Sequence, residues 1–429
     1  MNKKILALAL SSAALSLALA TPAFAQDVLI TNATVHTAQD GRVIENGRVL
    51  IRDGRIREVG TSVSAPRGVA TFDAAGRHLT PGLFGGVAPA GLVEVSAEDS
   101  TTESRLDLSG APHQHPVMRP EFNPIRAYNP HSTPIAVNRV EGVTFGMVGA
   151  SGGGSLIAGQ GQLARFDGSY DPAISGSDTL FMQLGARSKN LSGESRAGQY
   201  MLLEQAFDEA RADRKSLDGE VRLMTKRGRG VLAKFLQGGR VLVSVSRAAD
   251  ILQVIKLAKA NNFKPIILGG SDAWMVADEI AAAKVPVILN PLANLPGNFD
   301  HLGARLDHAK LLQDAGVTIA FSLGDAHNSR KLRQAAGNAV ANGLEWEDAL
   351  AAITSTPAEI FGQGDAVGSI EKGQIADLVL WSGDPLEITS VAEALWMGGQ
   401  SMPMQSRQTK LRDRYLEQDP EMPRQYIKP

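Results

Sequence analysis

The chain has 429 residues, of which 43% are hydrophobic and 21% charged, with a formal net charge of -2 at pH 7. This length suits one large domain with a smaller companion. The balanced charge excludes both a basic nucleic-acid footprint and an acidic tail. There is no cysteine, which excludes disulfides and thiolate metal sites.

Residues 1–25 read as an export leader. Lys3 and Lys4 precede the apolar run ILALALSSAALSLALA, and Ala23-Phe24-Ala25 has the small-residue spacing of a cleavage site. The apolar core is short for a membrane anchor, the rival reading. The expectation is an exported, periplasmic protein beginning near Gln26, with no membrane insertion after leader removal.

Residues 26–79 carry the period-two alternation of short antiparallel strands (VLITNATVHT, GRVLIRDGRIREVG), with RDGR as a hairpin turn. Residues 80–362 change character. Short apolar, mostly β-branched runs recur at 142–150, 179–185, 240–246, 264–270, 285–290 and 316–324, each bounded by glycine or proline. Between several of them lie segments with helical periodicity, such as AADILQVIKLAKANN. Alternating strands and helices predict parallel β/α units, and about eight such units predict an α/β fold of the (β/α)8 barrel type. An open doubly wound sheet is the alternative. A polar, proline-rich insertion at 95–134 reads as a lid or binding loop. Residues 363–415 return to hairpin patterning and are expected to rejoin the first strands in a small β-sandwich made from both chain ends. Residues 416–429 read as a loosely attached tail.

LITNATVHTAQDG at the start, LTPGLF entering the barrel, GVTFGMVG at its second strand, and GLEWEDALAAITSTPAEIFG followed by VGSIEKGQIADLVLWSGDPL near the end together resemble the amidohydrolase superfamily, particularly its imidazolonepropionase-like and exported branches. That resemblance implies hydrolysis of carbon–nitrogen bonds in amides, cyclic amides or dipeptide-like molecules. It also implies one or two divalent ions, typically zinc, that activate water at the barrel mouth. Two first-strand histidines, a fourth-strand carboxylated lysine or glutamate, one histidine each from strands five and six, and an eighth-strand aspartate would hold them. Here the first-strand positions fall on Val87 and Pro89. The fifth falls on Ser244 or Ser246, the sixth near Gly269 or Gly270, and only Asp325 matches in kind. A catalytic zinc needs about three donor side chains, so the usual ligand set is absent.

Other residues carry narrower expectations. His113 and His115, the only H-x-H pair, could rebuild a metal site with Asp325, or stand idle in a solvated loop. Asp325 and His327 follow the last barrel strand and suit a general acid/base pair, or Asp325 caps the next helix. The run GASGGGSLIAGQGQ, with Ser151 and Ser155, reads either as an anion cradle or as a tight loop shaping the pocket floor. Glu94, Glu98 and Asp99 suit a cation or a solvated acidic loop, and His301 and His308 default to the surface. Ser244, Ser246, Gly269, Gly270, Ser151 and Ser155 together would line a substrate pocket. Two functions follow: a hydrolase of carbon–nitrogen bonds using Asp325 and His327, or a barrel that has shed catalysis and binds a small molecule or a protein. The partner in the first case is a small-molecule substrate, not nucleic acid. Family members often pair, so a homo-oligomer is expected from the resemblance alone.

Overall fold

The computed structural model describes residues 27–106, 117–212 and 222–416. The leader-like residues 1–25, His113, His115 and residues 417–429 lie outside the described residues. Five strands open the chain: β1 (Val28–His36), β2 (Val43–Arg52), β3 (Arg55–Gly60), β4 (Ala70–Asp73) and β5 (His78–Pro81). Eight strands follow in the middle: β6 (Leu83–Val87), β7 (Val143–Gly149), β8 (Ile157–Arg165), β9 (Thr179–Gln183), β10 (Arg240–Val245), β11 (Lys264–Gly269), β12 (Val287–Leu289) and β13 (Ile319–Phe321). Three close the set: β14 (Leu378–Trp381), β15 (Ala392–Met397) and β16 (Gln400–Ser401).

Both chain ends build one mixed sheet in the order β16-β15-β14-β5-β1-β2-β3, with β4 also beside β1. Where the alternation suggests a sandwich, hydrogen bonding links all eight strands into a single sheet. The nine-residue β1 makes this possible, because β4 pairs with its first half and β5 with its second. Asn32, at φ 54°, marks the break between the halves; asparagine tolerates the left-handed conformation better than most residues.

The middle strands form a second eight-stranded sheet in strict chain order, β6 through β13. With its helices it forms an α/β barrel. Its strands are parallel except β8, which runs antiparallel to both β7 and β9. The sequence reading treats the start of β8 as part of a glycine-rich loop, and the structure corrects this. Glycine is depleted in strands, which hides β8, but here it is required. A Cβ on Gly161 would sit 2.5 Å from the Phe181 ring on β9.

Strand alternation sorts the core into two layers. Phe84, Phe145, Met147, Phe181, Leu242, Ile266, Ile288 and Ala320 share one buried cluster, the barrel interior. The intervening Val241, Val243, Ile267, Val287, Ile319 and Phe321 pack outward with helix residues such as Ile251, Val254 and Ala335. Each such buried side chain contributes roughly 1.5–3 kcal/mol of transfer free energy. The end sheet is tied to the barrel by Arg165 of β8, which makes two hydrogen bonds to Asp377 just before β14, at 2.7 and 3.2 Å.

Candidate functional site

In barrels of this kind the reactive groups gather where the strands end. Two residues beyond Phe181, Leu242, Ile266 and Ala320, on the same inward face, come Gln183, Ser244, Leu268 and Ser322. Val87, at the end of β6, belongs to the interior cluster too. These residues form the uppermost inward layer. Ser244 is exposed there, although its neighbours Val243 and Val245 are buried. The barrel mouth is therefore open to solvent above a hydroxyl. Gln183 is occupied: its amide nitrogen donates to the carbonyls of Gly153 and Ser155, at 3.1 and 2.7 Å. This fastens the glycine-rich turn between β7 and β8, and a Cβ on Gly152 would strike the Gln183 carbonyl oxygen at 2.2 Å. The turn thus packs tightly against β9. Ser151 hydrogen-bonds Ser104 at 3.0 Å, and Ser155 donates to the Ile157 carbonyl at 2.7 Å.

The positions where the family places ligands can be tested on the donors they present. Val87 offers only a backbone N–H, which donates to the Ser322 hydroxyl at 2.9 Å. Pro89 offers no donor side chain. Ser244 and Ser246 bring neutral hydroxyls, poor zinc ligands. Gly269 and Gly270 sit at φ 102° and 58°, a region that an imidazole-bearing residue would enter only with strain. The Asp325 carboxylate accepts the backbone N–H groups of His327 and Asn328 through one oxygen, at 2.8 and 2.7 Å. It caps the 3-10 turn Asn328–Lys331, and Ser329 donates to its carbonyl. His327 lies one residue before that turn with its backbone engaged by the cap. Among the described residues no group of three or more His, Asp and Glu is placed to hold a metal ion. The residues present do not fit the family's metal centre. The rebuilt site of His113, His115 and Asp325 lies in part outside the described residues.

The insertion carboxylates are spread over separate tasks. Glu94 accepts from Asn129 and from the Thr133 backbone that opens helix Thr133–Arg139. Glu98 caps the turn Asp99–Thr101, and Asp99 pairs with Arg105 at 3.1 Å. His301 lies in the short turn Phe299–His301. His308 departs from the surface expectation: it is 4% exposed at the start of helix His308–Asp314, and its Nε2 is buried without a hydrogen-bond partner.

A charged network beyond the ends of β9, β10 and β12 is illegible in the sequence. Arg196 donates to Asp250 at 3.0 Å and also to Asp300. Tyr200 donates to Asp250 at 3.2 Å, and the Ala186 N–H donates to Asp300 at 2.7 Å. Burial, then the neighbouring Asp250, pushes the Tyr200 phenol above its ordinary range. Both carboxylates are nearly inaccessible, and the guanidinium between them fills the place a cation would need. Asp250 lies 54 and Asp300 104 residues from Arg196, so no local pattern announces the network.

Comparison with known proteins follows the frame. Residues 194–404 match the model described as the amidohydrolase family. The amidohydrolase tasK of Hapsidospora irregularis is 25% identical over 405 residues, covering 82% of this chain and 39% of its own. This chain thus spans about two fifths of that curated relative's length. An amidohydrolase structure from Thermotoga maritima MSB8 aligns at TM-score 0.77 with 26% identity, covering 88% of this chain and 99% of its own. Phenylurea hydrolase B, at TM-score 0.51 and 15% identity over 88% of this chain and 97% of its own, shares the fold. Barrel, end sheet and these likenesses agree: the chain belongs to the amidohydrolase superfamily.

Proposed function

We propose that this chain binds a small molecule at the mouth of its amidohydrolase-type barrel without the water-activating metal of its relatives. The observation that carries this reading is the use made of Asp325. The one acidic residue at a family ligand position has an oxygen committed to two backbone N–H groups. The exposed Ser244 hydroxyl on the inward layer supports a ligand with an amide or similar hydrogen-bonding group. Ser151, Ser155 and Ser246 stand on the adjoining loops. Hydrolysis of a carbon–nitrogen bond is the competing reading, supported by the likeness to the Thermotoga maritima amidohydrolase, with Asp325 and His327 as acid and base. The leader-like residues 1–25 support a periplasmic setting for either.

The test is to incubate the purified chain with zinc or manganese, remove free ion, and measure the bound metal by mass spectrometry. Small amides and cyclic amides are then screened by thermal shift against the wild type and Ser244→Trp. Background metal, with ligands that raise the Tm of the wild type alone, is the expected result. Stoichiometric metal with metal-dependent amide cleavage overturns the proposal.

A further inference from the structure

Residues 290–307 lead from the end of β12 to helix His308–Asp314, and their polarity is inverted. Their polar groups hold them to the barrel. Asp300, 6% exposed, accepts the Ala186 N–H at 2.7 Å and pairs with Arg196 beyond the end of β9. Asn298 accepts the Asp300 N–H at 2.8 Å and so caps the turn Phe299–His301. The Gly303 N–H donates to Asp272 at 3.1 Å, and its carbonyl accepts from the Trp274 indole at 2.9 Å. Arg305 lies over the Trp274 ring, 4.7 Å from its centroid, and pairs with Asp307. The segment is therefore anchored along its length, on the rim of the barrel mouth.

Its apolar residues face water instead. Phe299 is 86% exposed, Leu295 75% and Leu302 65%, and Leu292 and Leu306 are exposed beside them. Met275, half exposed, adjoins them, since its methyl lies 2.8 Å from where a Gly303 Cβ would stand. These six leave roughly 600 Å² of apolar surface bare, the upper end for the largest patch on a typical monomer. Charge is missing from the same surface. From Leu292 to Leu306 the only Asp, Glu, Lys or Arg are Asp300 and Arg305, and both are already paired. A partner recognised by charge gains nothing here, and an anionic lipid surface calls for lysine and arginine. A two-fold contact of the patch with itself, by contrast, is favoured by neutrality, because like charges would otherwise meet across the axis. Two copies would bury about 1,200 Å² of apolar surface, the lower bound of a stable specific interface, before any polar rim is added.

We propose that this face binds a second copy of the chain, in a two-fold symmetric dimer centred on Leu295 and Phe299. The anchors described above hold the loop in place before the partner arrives, so little ordering entropy opposes association. The partner stands beside the entrance to the barrel, and the proposal is independent of any ligand that enters it.

Sedimentation velocity of the purified chain, from submicromolar to tens of micromolar, tests it. The mass is expected to rise from one chain to two and no further, because a two-fold contact closes on itself. Leu295→Glu and Phe299→Glu set like charges against each other and should each raise the dissociation constant about tenfold or more. The chain has no cysteine, so Leu302→Cys supplies one thiol per copy. A short bismaleimide should then join two copies, and adding Phe299→Glu should abolish the product. All three positions are exposed, and circular dichroism verifies that the variants fold. A monomer at every concentration, or association that neither glutamate variant weakens, overturns the proposal. So does a monomer that floats with phosphatidylcholine vesicles, which would assign the face to lipid.

Discussion

The Ser322 hydroxyl just beyond β13 accepts the N–H of Val87 at the end of β6, at 2.9 Å. It joins the last barrel strand to the first, where no strand ladder is formed among the described residues. The same oxygen accepts from the Gly324 N–H at 3.2 Å, and a Cβ on Gly86 would come within 2.8 Å of it. This contact between the two end strands of the sheet thus runs through one buried hydroxyl. Ser322→Ala leaves two backbone donors unsatisfied and should cost about 1–3 kcal/mol. Urea unfolding measures this, and an unchanged midpoint would show that closure does not depend on the hydroxyl.

Asp325 offers a sharper discrimination. As a cap it needs only an acceptor oxygen, which asparagine also supplies. Asp325→Asn should therefore retain stability to within a few tenths of a kcal/mol, while Asp325→Ala loses about 1 kcal/mol. A proton shuttle would fail in both variants. Thermal unfolding paired with an amidase assay reads the two roles separately.

Acid should weaken the fold through two histidines. Burial lowers His36 from 6.5 to about 4, with His78 as the next cause, and burial lowers His308 from 6.5 to about 4. The unfolded chain binds protons below pH 6.5 that the folded chain refuses until about pH 4. Stability is thus fully present above the unfolded value and falls as pH drops through that window, by at most roughly 3 kcal/mol per histidine. Unfolding free energy followed from neutrality down to pH 4 should slope accordingly. His308→Gln should flatten part of the slope, and a flat wild-type profile would refute the assignment.

Asp377 is a buried polar tie between the end sheet and the barrel. Asp377 accepts two hydrogen bonds from Arg165 and one from the Gly398 N–H at 2.7 Å, and its side chain is only 5% exposed. Removing one partner of such a pair leaves a buried charge. Arg165 keeps Asp167 at 2.7 Å, so the loss from Asp377→Ala should lie near the lower end of the usual range, about 3 kcal/mol. Arg165→Met with Asp377→Leu, which removes both charges, should recover much of it in chemical denaturation. Failure of the pair to recover would mean that the Gly398 contact dominates.

Much of this architecture is legible along the chain because strands and helices impress their periods on neighbouring residues. The runs at 240–246 and 264–270 became Arg240–Val245 and Lys264–Gly269, and AADILQVIKLAKANN became helix Ala248–Asn261. β8 is hidden because its Gly161 answers to Phe181 on another strand and its Gly159 to Phe122, demands that local propensity does not record. The loss of donor side chains at Val87, Ser244 and Gly269 could be read directly, since donor chemistry belongs to the residue itself. The seam from Ser322 to Val87 and the Arg196 network with Asp250 and Asp300 could not, and a cap at Asp325 was legible only as one of two alternatives. By itself the sequence determined the period of most elements, though not of β8, together with the family frame and which side chains can donate to a metal. Tertiary structure alone decided which donors are free and which are already spent. A hydrogen bond depends on where two distant residues meet in space, and no single stretch of chain carries that information.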